Sequence, residues 1–302
     1  MFRGSITALI TPFKNGEIDW NTFDNLIEHQ IESGTHGLVA CGTTAESPTL
    51  THDEHQHILQ RCVSAVKGRI PVIAGTGSNN TQTSVEMTAY ARQIGADAAL
   101  VVTPYYNKPT QEGLYAHYHT IAGAVNLPLI IYNIPGRCVI DMTPETMGRL
   151  ARIPHIVGVK DATGDLTRVK KQTATCGGDF IQLSGEDGMI YDFLEQGGVG
   201  CISVTSNIAP ALCAQMHNSW IAGDKAKAKQ YHAQLMPLHN ALFCESSPQP
   251  AKYAASRLGL CLNELRLPLL RASEEACKIV DDALARTGLV VQNSNAGQAV
   301  HG

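Results

Sequence analysis

The run Ile156-Val157-Gly158-Val159-Lys160 predicts a buried strand that ends in a single amine. Lysine is rarely buried, and removal from water disfavours its ammonium form, so the pKa of a buried amine falls. The neutral amine can attack a carbonyl carbon and form a Schiff base. A strand whose lysine extends its side chain back to solvent explains the same run. The run alone leaves both interpretations open.

Other polar side chains follow other apolar runs. The loop Gly42-Thr43-Thr44 combines free backbone N–H groups with two hydroxyls at a helix entry, which suits the carboxylate of a small keto acid. A plain turn with a helix cap is the alternative. Tyr132 ends another run, where its phenol could relay protons or simply fill a barrel mouth.

Three more side chains invite a functional interpretation. Arg137 follows a Pro-Gly turn, and its planar guanidinium could hold a second carboxylate with two hydrogen bonds, or lie solvated on the surface. Tyr105 and Tyr106 are adjacent aromatics, of which we expect at least one at an interface between subunits.

The sequence offers no convincing metal site. The carboxylates nearest to the strand ends do not converge with histidines at ligand spacing; they are Glu46, Asp161, Glu186 and Asp187. The histidines at 52, 55 and 57 are predicted to decorate an exposed helix.

Eight short apolar runs alternate with amphipathic segments, which predicts a parallel (β/α)8 barrel. A doubly wound sheet is disfavoured because the first strand lacks a G-x-G-x-x-G turn, and Gly75-Thr76-Gly77 comes late without a third glycine. Reactive side chains cluster after the strands, where barrel enzymes place their chemistry. The predicted strands are Ser5 to Ile10, Gly37 to Cys41, Pro71 to Ala74, Ala98 to Thr103, Leu129 to Asn133, Ile156 to Lys160, Phe180 to Ser184 and Val199 to Val204.

A helical region is predicted beyond the barrel. Residues 1–223 are expected to form the barrel, 224–290 a C-terminal helical region and 291–302 a disordered tail. The helices expected after the last strand are Pro210 to Ala222, Asp224 to Phe243, Pro250 to Leu258 and Ser273 to Arg286.

Composition narrows the class of protein. The 302 residues are 44% hydrophobic and 17% charged, with a formal net charge of -4 that argues against binding to nucleic acid. Nine cysteines occur singly, without a CxxC pair, as expected for free thiols in a reducing compartment. The start of the chain has no signal-peptide pattern and no stretch of 18 apolar residues occurs, so we expect a cytoplasmic protein without a membrane segment.

Three motifs in one frame resemble the dihydrodipicolinate synthase family, a likeness that runs from Gly4 to about Leu289. They are Gly42-Thr43-Thr44-Ala45-Glu46-Ser47, Tyr132-Asn133-Ile134-Pro135-Gly136-Arg137 and Gly158-Val159-Lys160-Asp161-Ala162-Thr163-Gly164. Ala45 stands where the family usually has glycine, which leaves the loop intact provided that its φ is negative.

The resemblance implies condensation of pyruvate with aspartate 4-semialdehyde, without an external cofactor, through an imine on Lys160. It also implies a homotetramer built as a dimer of dimers, in which Tyr106 acts in the neighbouring subunit's site. The remaining roles implied are proton relay for Thr43, Tyr132 and Tyr106, carboxylate binding for Thr44 and Arg137, and backbone lining of the pocket for Gly185 and Ile202.

The resemblance further implies an effector site for lysine. Thr83 stands where sensitive bacterial members carry a glutamate that binds the effector's ammonium group, so we expect weak or absent feedback unless an acid such as Glu86 substitutes. The residues that map onto this site are Ser47, Pro48, His52, His55, Asn79, Thr83 and Tyr105.

Two alternatives remain at this level. Another Schiff-base aldolase, such as N-acetylneuraminate lyase or a keto-deoxy sugar acid aldolase, would use Lys160 and Tyr132 in the same way. The Thr43-Thr44 pair and Arg137 favour the synthase. A non-catalytic barrel that binds small anions is the alternative from a different class, because a fold alone does not fix function.

Overall fold

Eight parallel strands close into one barrel in the computed structural model, which describes residues 2–289. The strand order around the barrel is β1-β10-β9-β8-β7-β6-β5-β4, and β2 and β3 form a separate antiparallel hairpin. The strands are β1 (Gly4–Ala8), β2 (Phe13–Lys14), β3 (Glu17–Ile18), β4 (Gly37–Ala40), β5 (Val72–Gly75), β6 (Ala98–Val102), β7 (Leu129–Asn133), β8 (Ile156–Asp161), β9 (Ile181–Ser184) and β10 (Gly200–Ser203). The barrel is confirmed, and the doubly wound alternative is wrong.

Helices follow the barrel strands. Polar side chains cap several of these helices: Asp19, Thr51 and Thr143 each accept a hydrogen bond from a backbone N–H of the first turn. The helices are α1 (Trp20–Glu32), α2 (His52–Val66), α3 (Thr81–Gln93), α4 (Gln111–Ala124), α5 (Pro135–Cys138), α6 (Pro144–Leu150), α7 (Thr167–Cys176), α8 (Ile190–Glu195), α9 (Pro210–Ile221), α10 (Lys225–Ala241), α11 (Gln249–Arg257) and α12 (Glu274–Thr287).

Alternation along the strands creates two apolar layers. On β7, Leu129 and Ile131 pack in the layer between strands and helices, whereas Ile130 and Tyr132 pack inside the barrel. On β8, Val159 belongs to the outer layer, so the next residue, Lys160, faces the interior. Burial on both faces explains why the strands are almost continuously apolar.

The C-terminal helices form a third apolar cluster with the last barrel helices. Leu235 and Leu238 of α10 and Val280 of α12 are buried there with Cys213 of α9. The ends of the last four predicted helices lie within two residues of those observed. The division at residue 223 stays a prediction, and the predicted tail at 291–302 lies outside the described residues.

Two elements near the barrel mouth were not predicted from the sequence. They are the β2–β3 hairpin and the short helix α5, which carries Arg137. Both are too short to produce a hydrophobic period. None of the helices in the described part of the chain is long and apolar enough to cross a membrane.

Candidate active site

The centre of the site is a buried pair on two neighbouring strands. Tyr132 of β7 and Lys160 of β8 are partners in register at the C-terminal ends of both strands. Each residue is only 6% exposed, and the Lys160 Nζ atom lies 4.1 Å from the centroid of the Tyr132 ring. The amine is therefore held inside the barrel mouth, and the interpretation of a lysine that extends to solvent is wrong.

The Thr43 loop lies on the other side of the mouth. Thr43–Ala45 form a 3-10 turn directly after β4, and the Thr11 hydroxyl donates a 2.8 Å hydrogen bond to the Ala45 carbonyl. Thr43 and Tyr132 line a common cavity of about 50 Å3, named here the inner cavity. The turn thus brings Thr43 to a cavity that Tyr132 of the buried pair also lines, while Thr44 is itself buried.

Glu46 ends the loop in a left-handed conformation, with φ 58°, while φ of Ala45 lies outside that region. The Glu46 carboxylate lies 2.6 Å from the Lys252 ammonium of α11, and neither side chain has measurable exposure. Its other oxygen accepts a 3.0 Å hydrogen bond from the Arg266 N–H, and Lys252 also donates to the Glu264 carbonyl. The C-terminal region therefore anchors the loop.

The electrostatics near Lys160 involve a further acid, Glu186. Burial, reinforced by the neighbouring negative charge of Asp187, raises the pKa of Glu186 above its usual range, while Lys160 acts in the opposite direction. The other three candidate carboxylates have protein partners. Glu46 pairs with Lys252 and Asp161 with Arg168, and Asp187 accepts hydrogen bonds from the Ser203 hydroxyl and the Val204 N–H. Within residues 2–289, no three His, Cys, Asp or Glu side chains are grouped so that they could hold a metal ion.

Arg137 lies at the opening of the site. It sits on α5, is exposed, and donates a 3.0 Å hydrogen bond from Nη2 to the Ser247 carbonyl. Arg137 and Thr43 line a cavity of about 330 Å3, named here the entrance cavity. A guanidinium in this position can receive an anion that approaches the inner cavity.

Gly185 and Ile202 lie at the closely packed inner wall. The Gly185 N–H donates a 2.7 Å hydrogen bond to the Asp161 carbonyl, and a Cβ atom at this position would lie 2.6 Å from the Ala162 Cβ. Only glycine fits there without displacement of the backbone. Ile202 is 1% exposed and packs in the inner cluster with Tyr132.

Tyr106 is the one predicted catalytic residue that this chain does not bring to the others. It is 91% exposed, lines neither cavity, and has a left-handed backbone conformation with φ 70°. Tyr105 is 39% exposed and does line the entrance cavity. The Asn79 side chain fixes this segment by donating to the Tyr105 carbonyl at 3.2 Å.

The candidate effector residues only partly converge. His52 is exposed and lines neither cavity, and Asn79 lies outside the cavity lining but donates a hydrogen bond to the Tyr105 carbonyl. The entrance cavity also contains Met87, beside the position of Thr83. The candidates that line it are Ser47, Pro48, His55, Thr83 and Tyr105.

The prediction that the three histidines of α2 are all exposed is wrong for His55. His52 and His57 are exposed, but His55 is buried against the core, and burial lowers its pKa to about 4. The signal was present in the sequence, since Ile58, Leu59 and Cys62 follow at helical spacing and share its buried face.

Several residues at or near the site were not identified from the sequence. Lys252 and Arg266 lie far from the loop in sequence, and nothing in their local pattern separates them from surface cations. Arg168 is the second residue of α7, and nothing in the loop between β8 and α7 indicates that its side chain returns to Asp161. Cys41 and Cys138 line the entrance cavity without any sequence signal.

The fold and the site define a (β/α)8 barrel with a buried lysine among hydroxyl and guanidinium groups at its C-terminal mouth. Residues 1–287 match the Dihydrodipicolinate synthetase family, and the chain belongs to it.

Curated relatives and solved structures agree with this membership. The chain is 59% identical to the 4-hydroxy-tetrahydrodipicolinate synthase of Rhodospirillum centenum, over 96% of this chain and 100% of that protein. It is 56% identical to the enzyme of the same name from Parvibaculum lavamentivorans, with the same coverage. Among solved structures, the chain is 46% identical in sequence to the chloride-inhibited dihydrodipicolinate synthase from Acinetobacter baumannii, crystallised in complex with pyruvate. The TM-score is 0.94, and the match covers 96% of this chain and 100% of that one.

Proposed function

We propose that this chain is a 4-hydroxy-tetrahydrodipicolinate synthase, a lyase that condenses pyruvate with L-aspartate 4-semialdehyde in the biosynthesis of diaminopimelate and lysine. Membership in the family and curated relatives of that name at 53–59% identity support this assignment. The observation that carries the mechanism is the buried Lys160 amine, held 4.1 Å from the Tyr132 ring centroid. No external cofactor is needed, because the imine itself withdraws electrons.

The reaction begins at the Lys160 amine. Its nitrogen adds to the C2 carbonyl of pyruvate, and loss of water leaves an imine. Loss of a C3 proton converts the imine into an enamine, whose C3 attacks the aldehyde carbon of the second substrate. The substrate's own amine then adds to the imine carbon, which closes the ring and releases Lys160.

The surrounding residues supply proton transfer and anion binding. Tyr132 and Thr43 share the inner cavity, and we assign them to a proton relay with Tyr106. Thr44 holds the pyruvate carboxylate, and Arg137 receives the carboxylate of the semialdehyde at the entrance. Gly185 and Ile202 close the wall behind the imine, where close packing leaves little room for water.

The exposure of Tyr106 supports a shared site. A relay residue that is 91% exposed in its own protomer can act only if a neighbouring subunit covers it. We therefore propose that the chain forms a homotetramer, built as a dimer of dimers. Within each dimer, each subunit contributes its Tyr106 to the site of the other. The nine free cysteines support a cytoplasmic location.

Trapping with pyruvate tests the proposal. Borohydride reduces an imine to a stable amine, so incubation with pyruvate and borohydride should add one reduced pyruvate to Lys160, as located by peptide mass mapping. The trapped enzyme should lose the ability to form ring product from aspartate 4-semialdehyde. Absence of the adduct would support a barrel that only binds anions, and pyruvate release from sialic acid without ring formation would indicate a lyase of another specificity.

A further inference from the structure

A buried arginine bridges two segments of the barrel mouth. Arg168, near the start of α7, has a side chain that is 7% exposed. Its Nε atom donates to Asp161 Oδ2 at 3.0 Å and its Nη1 atom to Asp141 Oδ2 at 3.2 Å. Nη2 donates to the Met142 carbonyl at 2.6 Å. One guanidinium therefore spans the end of β8 and the chain that follows α5.

The first of these segments carries the nucleophile. Asp161 directly follows Lys160, and its side chain is 5% exposed. Its carboxylate also accepts hydrogen bonds from the Thr163 N–H at 3.0 Å and from the Gln172 amide at 2.7 Å. Arg168 supplies the cation that balances this buried charge. The ion pair therefore holds the end of β8, next to Lys160, against α7.

The second segment carries Arg137. Asp141 accepts a 2.7 Å hydrogen bond from the Asn133 side chain, and Asn133 in turn accepts one from the Met142 N–H at 3.0 Å. These hydrogen bonds hold the two ends of the segment 133–142 together. Asn133, at its start, directly follows Tyr132. Asn133 and Asp161 are also partners in register on β7 and β8.

We propose that Arg168 is a positioning residue that sets Lys160, Tyr132 and Arg137 in one geometry, an inference that rests on the proposed function. Its planar fork of donors matches two carboxylates and a carbonyl at the same time. A lysine ammonium is a point charge on a flexible stem and cannot span both carboxylates. We call the contact of Arg168 with Asp161 the first arm and its contact with Asp141 the second arm. The first arm positions Lys160, and the second arm positions Arg137.

Three variants of the full chain test the two arms. Arg168→Lys should slow trapping of Lys160 by pyruvate and borohydride and raise KM for the semialdehyde, each by about 10- to 100-fold. Arg168→Met should do the same to a larger extent where it folds, since it leaves the buried Asp161 unpaired. Asp141→Asn removes the charge of the second arm at a side chain that is 48% exposed and leaves the contact between Arg168 and Asp161 in place, so it should raise KM for the semialdehyde far more than it slows trapping.

The control is Arg149→Met, which removes a surface arginine of α6 that pairs with Glu112. It should change neither trapping nor KM. The inference is overturned if folded Arg168→Lys traps pyruvate at the wild-type rate with the wild-type KM, or if Asp141→Asn slows trapping as much as Arg168→Lys does. Failure of the wild-type chain to trap pyruvate would instead overturn the proposed function.

Discussion

The two sides of the barrel mouth position their side chains by different means. On the strand side, Tyr132 and Lys160 are partners in register, so the hydrogen bonds of two adjacent strands set their spacing. On the loop side, Thr43 lies in a turn whose last residue, Glu46, pairs with Lys252 of a C-terminal helix. The nucleophile thus depends on the barrel itself, and the loop depends on a remote part of the chain.

The largest effect is expected from removal of the nucleophile on the strand side. Lys160→Ala should lower turnover by at least about 10⁴-fold, because no other amine can form the imine at this place. Borohydride trapping with pyruvate should then add no mass. Lys170→Ala, at an exposed lysine of α7, is the matched control and should trap normally. An adduct on another lysine of the Lys160→Ala variant would contradict the assignment.

The two proposed relay tyrosines are expected to act in different subunits. Tyr132→Phe and Tyr106→Phe should each lower kcat by about 10²-fold, since each loses a proton-transfer group. Coexpression of Tyr106→Phe with Lys160→Ala should restore activity, because mixed dimers contain one site with every residue intact. Coexpression of Tyr132→Phe with Lys160→Ala should restore none. Equal recovery in both mixtures would contradict a shared Tyr106.

The loop side can be disturbed through Lys252. Lys252→Met leaves the Glu46 carboxylate buried without its partner, so the free energy of unfolding should fall by about 3–5 kcal/mol. In the folded fraction, KM for pyruvate should rise because the Thr43 turn loses its anchor. Chemical denaturation and steady-state kinetics measure the two effects.

The double variant Glu46→Gln/Lys252→Met separates charge from anchoring. It removes both buried charges, so most of the lost stability should return, while KM for pyruvate stays raised. Recovery of both quantities together would mean that Lys252 serves stability alone and does not position the loop.

A smaller effect is expected at the entrance cavity, on inhibition by lysine. Wild-type turnover should show no half-inhibition at submillimolar lysine, and Thr83→Glu should increase inhibition by lysine by about 10-fold or more, because it adds an anionic partner for the ammonium group. Gln82→Glu adds the same charge at the neighbouring exposed position and is the control. Strong inhibition of the wild type by submillimolar lysine would contradict the expectation.

The smallest effect is expected at a surface ion pair. Asp24→Asn breaks the pair with Arg61, whose side chains are 35% and 48% exposed. The free energy of unfolding should fall only slightly, because solvent screens the pair. A loss as large as that of Lys252→Met would mean that burial does not explain the importance of the Glu46 pair.

The strand side was predictable because its signals are local. The apolar run before Lys160 and the run before Tyr132 define strands, although the runs alone left open the direction in which the two side chains point. The barrel follows from the repeated alternation of such runs with helices. No knowledge of distant contacts is needed for either inference.

The loop side was predictable only in part. The Thr43-Thr44 pair was identifiable by its hydroxyls, but its anchor was not, since Lys252 looks like any cation on an amphipathic helix. Tertiary packing alone brings Lys252 to Glu46 and makes both buried. His55 shows the opposite case, because its helical spacing to Ile58 and Leu59 indicated burial that we did not predict.

The entrance cavity brings residues of the proposed substrate path and of the proposed effector site to one wall. Thr43 and Arg137 line it together with Ser47, His55 and Thr83. If lysine binds at this wall as proposed, a substitution that changes the wall for the effector also changes the proposed path of the second substrate. Selection for altered feedback would then act on catalysis at the same time.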